Sequence, residues 1–133
     1  MIADANSRDE IAVLIHETFT RLSTPGSDLG ELFTHLDMTI AGSRLGEFHQ
    51  GQGAIQGLAK SATSWGFTWT CEEATVWREG DVAWTQILVS IEQPAREKHE
   101  TVRYRITGVF AKEKDGWQWR HWGGSQPREA EVH

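Results

Sequence analysis

Lys114-Asp115-Gly116 stands between two runs of strand-forming residues. Asp-Gly in that setting is the strongest local signal for a tight antiparallel hairpin, and it constrains the whole second half of the chain. Downstream lies Trp117-Gln118-Trp119-Arg120-His121-Trp122-Gly123-Gly124-Ser125. At the period of two that a strand imposes, Trp117, Trp119, His121, Gly123 and Ser125 share one face. Gln118, Arg120 and Trp122 take the other. The first face begins aromatic and ends polar, so it suits a core at one end and a pocket at the other.

Three more long strands precede this one. Phe67 to Trp77 places Phe67, Trp69, Cys71, Thr75 and Trp77 on one face, and Arg78-Glu79-Gly80-Asp81 is a turn. Val82 to Glu92 is apolar on both faces, with Val82, Trp84 and Leu88 on one and Ala83, Ile87, Val89 and Ile91 on the other. A charged loop runs from Gln93 through Lys98, and Thr101 to Lys112 is the next strand. Gln126-Pro127 ends the last strand, and 128–133 is expected to be a loose tail.

The first half is helical. Ser7-Arg8-Asp9-Glu10 has the form of a capping box, and Ile11, Leu14, Ile15, Phe19 and Leu22 follow at helical spacing. Asp28 is expected to cap a second helix with Leu29, Leu32, Phe33 and Leu36 on its buried side. Short strands are expected at Met38–Ala41 and at Glu47–His49. A third helix carries Ile55, Leu58, Ala59 and Ala62. Helices followed by strands mean an α+β fold. An antiparallel sheet usually leaves one face wet. The middle strands are apolar on both faces, so a homodimer through the outer face is expected.

The 133 residues make one domain by length, spanning 1–133. Net charge is −6, with no basic cluster of the kind that binds phosphate backbones, which argues against nucleic acid. Cys71 is the only cysteine, no signal-peptide pattern opens the chain, and no apolar run approaches the roughly twenty residues of a membrane span. A cytoplasmic protein with no membrane association is the expectation.

Several local strings, in order, resemble the SnoaL-like branch of the nuclear transport factor two-like (ketosteroid isomerase-like) superfamily. They are the capped first helix; Asp37-Met38-Thr39-Ile40-Ala41-Gly42-Ser43, then Gly46-Glu47 and Gly51; Glu79-Gly80-Asp81-Val82-Ala83-Trp84; Tyr104-Arg105-Ile106-Thr107-Gly108-Val109; and Asp115-Gly116-Trp117 through His121 to Ser125-Gln126-Pro127. The resemblance implies a cone-shaped barrel: three N-terminal helices packed in the concavity of a strongly curved, mostly antiparallel sheet, with a pocket between them. It implies dimers through the outer sheet face, and a family of isomerases, dehydratases, cyclases and epoxide hydrolases. Many similar sequences carry a second histidine two residues after the one matching His121. Here that position is Gly123, which weakens any mechanism needing two imidazoles and is expected to widen the pocket at that spot.

His121 is the first candidate for acid–base catalysis, because histidine alone titrates near neutrality without help. The plain alternative is a wall histidine bonded to a backbone carbonyl. Asp37 is a candidate base if burial raises its pKa, or else a solvated turn residue. Glu47 is similar and expected to be more exposed. Arg105 and Thr107 share a strand face; Arg105 there needs an anionic ligand or a carboxylate partner. Trp69 and Trp84 are candidates to wall a flat apolar ligand, and Ser125 to steady negative charge. Tyr104 takes the face opposite Arg105 and Thr107, so it is expected to point away from their pocket, which argues against a steroid isomerase. No close metal-ligand pair, phosphate loop or dinucleotide glycine string occurs, so neither metal nor cofactor is expected. Cys71 is expected to be a buried small hydrophobe. Two readings remain: an isomerase, dehydratase or cyclase acting on a small apolar or weakly acidic molecule, or a non-catalytic binding or dimerising scaffold.

Overall fold

A computed structural model describes residues 1–94 and 100–127. Helix α1 spans Ala5–Leu22 and α2 spans Gln52–Ala62. The strands are β1 (Thr39–Ala41), β2 (Phe48–Gln50), β3 (Thr68–Glu79), β4 (Val82–Gln93), β5 (Glu100–Glu113) and β6 (Gly116–Ser125). They form one mixed, curved sheet in the order β2-β1-β6-β5-β4-β3. All neighbours are antiparallel except β1 and β6, which run parallel. The helices pack on the concave face, and the α+β class expected from the sequence holds. The expected loop through Lys98 and the tail at 128–133 fall largely or wholly outside the described residues.

Two helical expectations are corrected. Asp4, not Ser7, caps α1, through Ser7 N–H donating to Asp4 Oδ1 at 2.7 Å. Ser7 is buried one turn inside, where its hydroxyl accepts from Arg78 Nη1 at 2.6 Å. The expected second helix is a single 3-10 turn, Leu29–Leu32, and Leu36 is exposed. α2 takes one carbonyl of this turn and two of the residues after it: Gln56 Nε2 donates to Gly30 O at 2.9 Å, and Gln52 Nε2 donates to Phe33 O and His35 O at 2.8 and 2.7 Å. Those bonds replace the ladder that a helix would need.

Two bulges reset the strand faces. In β6, His121 pairs with Val109 and Trp119 with Phe110, so Arg120 is the extra residue. Beyond it the phase flips. Trp117, Trp119, Trp122 and Gly124 point inward and are buried, while His121, Gly123 and Ser125 face out. In β3 the register shifts between Cys71 and Glu73, so Trp69 faces in and Thr75 and Trp77 face out. Cys71 is exposed, contrary to expectation. Its phase is inward, but it lies on the edge strand of the sheet, where no further strand covers it.

The core joins the inner sheet face to α1. Trp119 Nε1 donates to Thr18 Oγ1 at 3.0 Å, and Trp117 Nε1 to Glu10 Oε2 at 3.0 Å. Asp4 offers a simple check on the N-terminal docking. The Ser7 amide holds its carboxylate below the usual range, so its stabilising effect is present above the unfolded value and lost as pH falls through the lower folded one. Asp4→Ala is expected to lower Tm at neutral pH, with the difference from wild type beginning to shrink below about pH 4 and lost only as pH falls through the lower folded value. A Tm difference that persists unchanged at pH 2 would exclude this account.

Candidate functional site

A cavity of about 530 Å³ opens between the concave sheet face and the helices. Most of its wall is apolar: Phe33, Ile40, Phe67, Trp69, Ile91 and Trp122 line it, with Leu22, Leu58 and Ala62 from the helices. One side is polar, built by Ser43, Arg44, Glu47, His49 and Tyr104. The sheet brings these together. His49 pairs with Ile40, which pairs with Trp122, so all three stand in one row across β2, β1 and β6.

Two glycines let the polar groups lie flat. A Cβ on Gly124 would sit 2.6 Å from Tyr104 Cζ, so the phenol ring rests directly on that backbone. A Cβ on Gly42 would sit 2.8 Å from Glu47 Cβ and Cδ, so the Glu47 side chain folds over Gly42 in the same way. Any side chain at either position would displace the group above it.

Burial pushes the Tyr104 phenol above its ordinary pKa; Ser43, against the phenol oxygen, opposes the shift, and the charge of Glu47 adds to it. The phenol is therefore a neutral donor throughout the physiological range. Glu47 is half exposed and lies 3.8 Å from Arg44, an exposed pair that holds it only weakly. Among the described residues no group of His, Cys, Asp and Glu is arranged to hold a metal ion.

A family model described as a SnoaL-like domain matches residues 28–129. The chain belongs to that family. Solved structures agree in fold. A nuclear transport factor 2-like superfamily protein from Salmonella enterica superimposes with a TM-score of 0.82 at 16% identity, covering 98% of this chain and 97% of that one. A protein named as a candidate aromatic ring hydroxylase from Novosphingobium aromaticivorans also gives 0.82 at 16% identity, covering 96% and 93%. One named as a candidate scytalone dehydratase from the same organism gives 0.79 at 11%, covering 95% and 87%. Among curated proteins no relative matches the sequence.

In this SnoaL-like chain the residues singled out from the sequence are scattered. Trp69 lines the cavity. His121 does not; the β6 bulge puts it on the outer face, where its Nδ1 shares a 2.7 Å hydrogen bond with Thr39 Oγ1. Its ring lies over Gly123, where an added Cβ would meet Nε2 at 3.0 Å. The missing second histidine thus makes room for His121 itself rather than widening the pocket. Arg105 and Ser125 pair across β5 and β6 on that outer face and are exposed. Thr107 faces out too, accepting from Gln86 Nε2 at 2.7 Å, as does Trp84, paired with Trp77 and Val109. Asp37 is exposed in a turn, its amide donating to His35 Nδ1 at 3.0 Å.

The cavity face of β5 is the one carrying Tyr104, Ile106, Gly108 and Phe110, the reverse of the expectation that placed Arg105 and Thr107 inside. That error had a readable signal. Ile106, Gly108 and Phe110 are fully apolar at period two, and the phenol simply continues their row. Ser43 and His49 had none, because their role depends on how β1 and β2 dock against β6.

No helix among the described residues is long and apolar enough to cross a membrane.

Proposed function

We propose that the cavity binds a small, largely apolar molecule by one oxygen, and that the polar side performs acid–base chemistry on it. The Tyr104 O–H donates to the ligand oxygen. The Glu47 carboxylate takes a proton from an adjacent carbon, the electron pair moves toward the oxygen, and Tyr104 steadies the developing charge. Returning the proton at another carbon gives an isomerisation; loss of a hydroxyl, with a proton from His49, gives a dehydration. The observation that carries this reading is the neutral phenol seated on Gly124 beside Glu47, at a polar side of an aromatic cavity. The size lies in the range of small-molecule sites, and a structural relative named as a candidate dehydratase is in keeping with it.

Tryptophan fluorescence with an aromatic ketone and its matched hydrocarbon tests the binding half. Tyr104→Phe is expected to weaken the ketone by about five- to tenfold, the worth of one hydrogen bond, and leave the hydrocarbon unchanged. Ketone affinity should stay flat from pH 6 to 9, since the phenol does not ionise there. Equal affinity of wild type and variant for the ketone excludes Tyr104 as the donor. Glu47→Gln should retain binding and lose turnover. A second reading, binding without turnover, is favoured by the exposure of Glu47, whose carboxylate is solvated and lies near Arg44 rather than being enclosed against a bound ligand. On that reading ketone binding survives and no proton exchange into the bound ketone is seen by NMR in deuterated water.

A further inference from the structure

Trp69 borders two cavities at once. One is the apolar cavity just described. The other is an open groove of about 1110 Å³ between α1 and the free edge of β3, where Arg8, His16, Thr20, Thr24, Thr68 and Thr70 present their side chains. No other described residue lines both. The indole stacks on Phe19 at 6.1 Å and 9°, and meets Tyr104 and Trp122 edge-on at 6.4 and 6.0 Å. It is the partition between the two spaces.

The backbone of Trp69 is tied to the end of α1, its amide donating to Ser23 Oγ at 2.9 Å, but the indole ring is held by packing alone. Trp69 Nε1 is buried without a hydrogen-bond partner. The Nε1 atoms of Trp117 and Trp119 are tied to Glu10 and Thr18. Turning those two rings breaks a hydrogen bond, whereas turning Trp69 breaks none and costs only its packing against Phe19, Tyr104 and Trp122. Trp69 also sits on the edge strand, just ahead of the bulge at Glu72, where the sheet supports it from one side only.

Resting on the reading of the cavity as a ketone site, we propose that Trp69 sets the length of the ligand. The ligand is an elongated ketone: its oxygen is held at Tyr104, and its apolar tail runs toward the indole. Short tails end against the ring. Longer tails require the ring to turn, and their ends then lie in the groove beyond, whose lining includes Ala12, Ile15, Phe19 and Val76.

Phenyl ketones carrying a methyl, a pentyl or a nonyl chain, titrated against wild type and Trp69→Ala, test this. Trp122 remains in the wall to report binding. Each methylene buried tightens binding roughly fourfold, so affinity should climb from methyl to pentyl. In the wild type it should then fall for nonyl, which must turn the ring off Phe19. Trp69→Ala is expected to bind the nonyl ketone about tenfold or more tighter than wild type, a gain of roughly 1.4 kcal/mol, and the methyl ketone within about threefold. Trp69→Leu, which keeps an apolar contact with Phe19, should show the same order and serves if the alanine variant does not fold. Wild-type affinity that rises through nonyl, or a nonyl affinity unchanged in both variants, overturns the proposal. Failure of the methyl ketone to bind wild type at all overturns the cavity reading itself, and this one with it.

Discussion

Trp119→Ala is expected to remove about 3–5 kcal/mol of stability, a large part of what a domain of this size has. At that cost Tm falls by roughly 10–20 °C. Trp119 is only 1% exposed. Its ring meets Phe110 at 4.4 Å, Trp122 at 5.3 Å and Phe33 at 5.9 Å, so it ties β6 to β5 and to the turn that follows α1. Gly108 exists in this setting to admit the ring, since a Cβ there would lie 2.9 Å from Trp119 Cζ3. The loss is mainly a cavity, because Thr18 keeps its own hydroxyl bonded to Leu14 O at 2.7 Å when the indole is gone.

Thr18→Val separates the two contributions. It preserves shape but leaves the Trp119 N–H buried and unpaired, which costs about 1–3 kcal/mol. Urea unfolding of both variants, with the slope unchanged, is the measurement. A Trp119→Ala loss below about 1 kcal/mol would mean the ring is not the centre of the core.

The sequence makes the elements legible and leaves their phase ambiguous. Helix α1 is plain from Ile11, Ile15, Phe19 and Leu22, all buried. The hairpin at Asp115-Gly116 is plain too, and Gly116 takes the positive φ of 108° that the turn uses. A bulge, however, changes which face a strand residue occupies without altering composition, and a one-residue change in phase moves every later side chain to the other face. The extra residue at Arg120 carried His121 and Ser125 out and Trp122 in. The run around Leu29 to Leu36 failed for another reason: its carbonyls are claimed by Gln52 and Gln56, whose approach is a tertiary matter. Trp69 was found because an indole ahead of the β3 bulge keeps the simple alternation. The outer face retains half-buried Trp77, Trp84, Leu88 and Val109. We propose that a second copy covers it, which sedimentation of the wild type against a Trp84→Glu variant would test.

Gly124→Ala is expected to abolish ketone binding more completely than Tyr104→Phe does. The phenylalanine variant keeps the ring on its glycine and loses one donor, so the hydrocarbon probe still binds. The alanine methyl instead meets the ring at 2.6 Å from Cζ, inside any tolerable contact. Backbone cannot yield on the central strand β6, which is paired on both sides by β1 and β5. The ring must swing away from the strand, and the open space on that side is the cavity itself. Donor and volume are then lost together, so both ketone and hydrocarbon should weaken by about tenfold or more. Overpacking should also lower stability by about 1–3 kcal/mol. Gly42→Ala makes the matched control: it displaces Glu47, which lies over Gly42, and leaves the Tyr104 seat intact, so ketone affinity should hold while any proton exchange fails. If Gly124→Ala bound both probes as wild type does, the phenol would not rest where the polar side requires it, and acid–base chemistry would have to be sought at another wall.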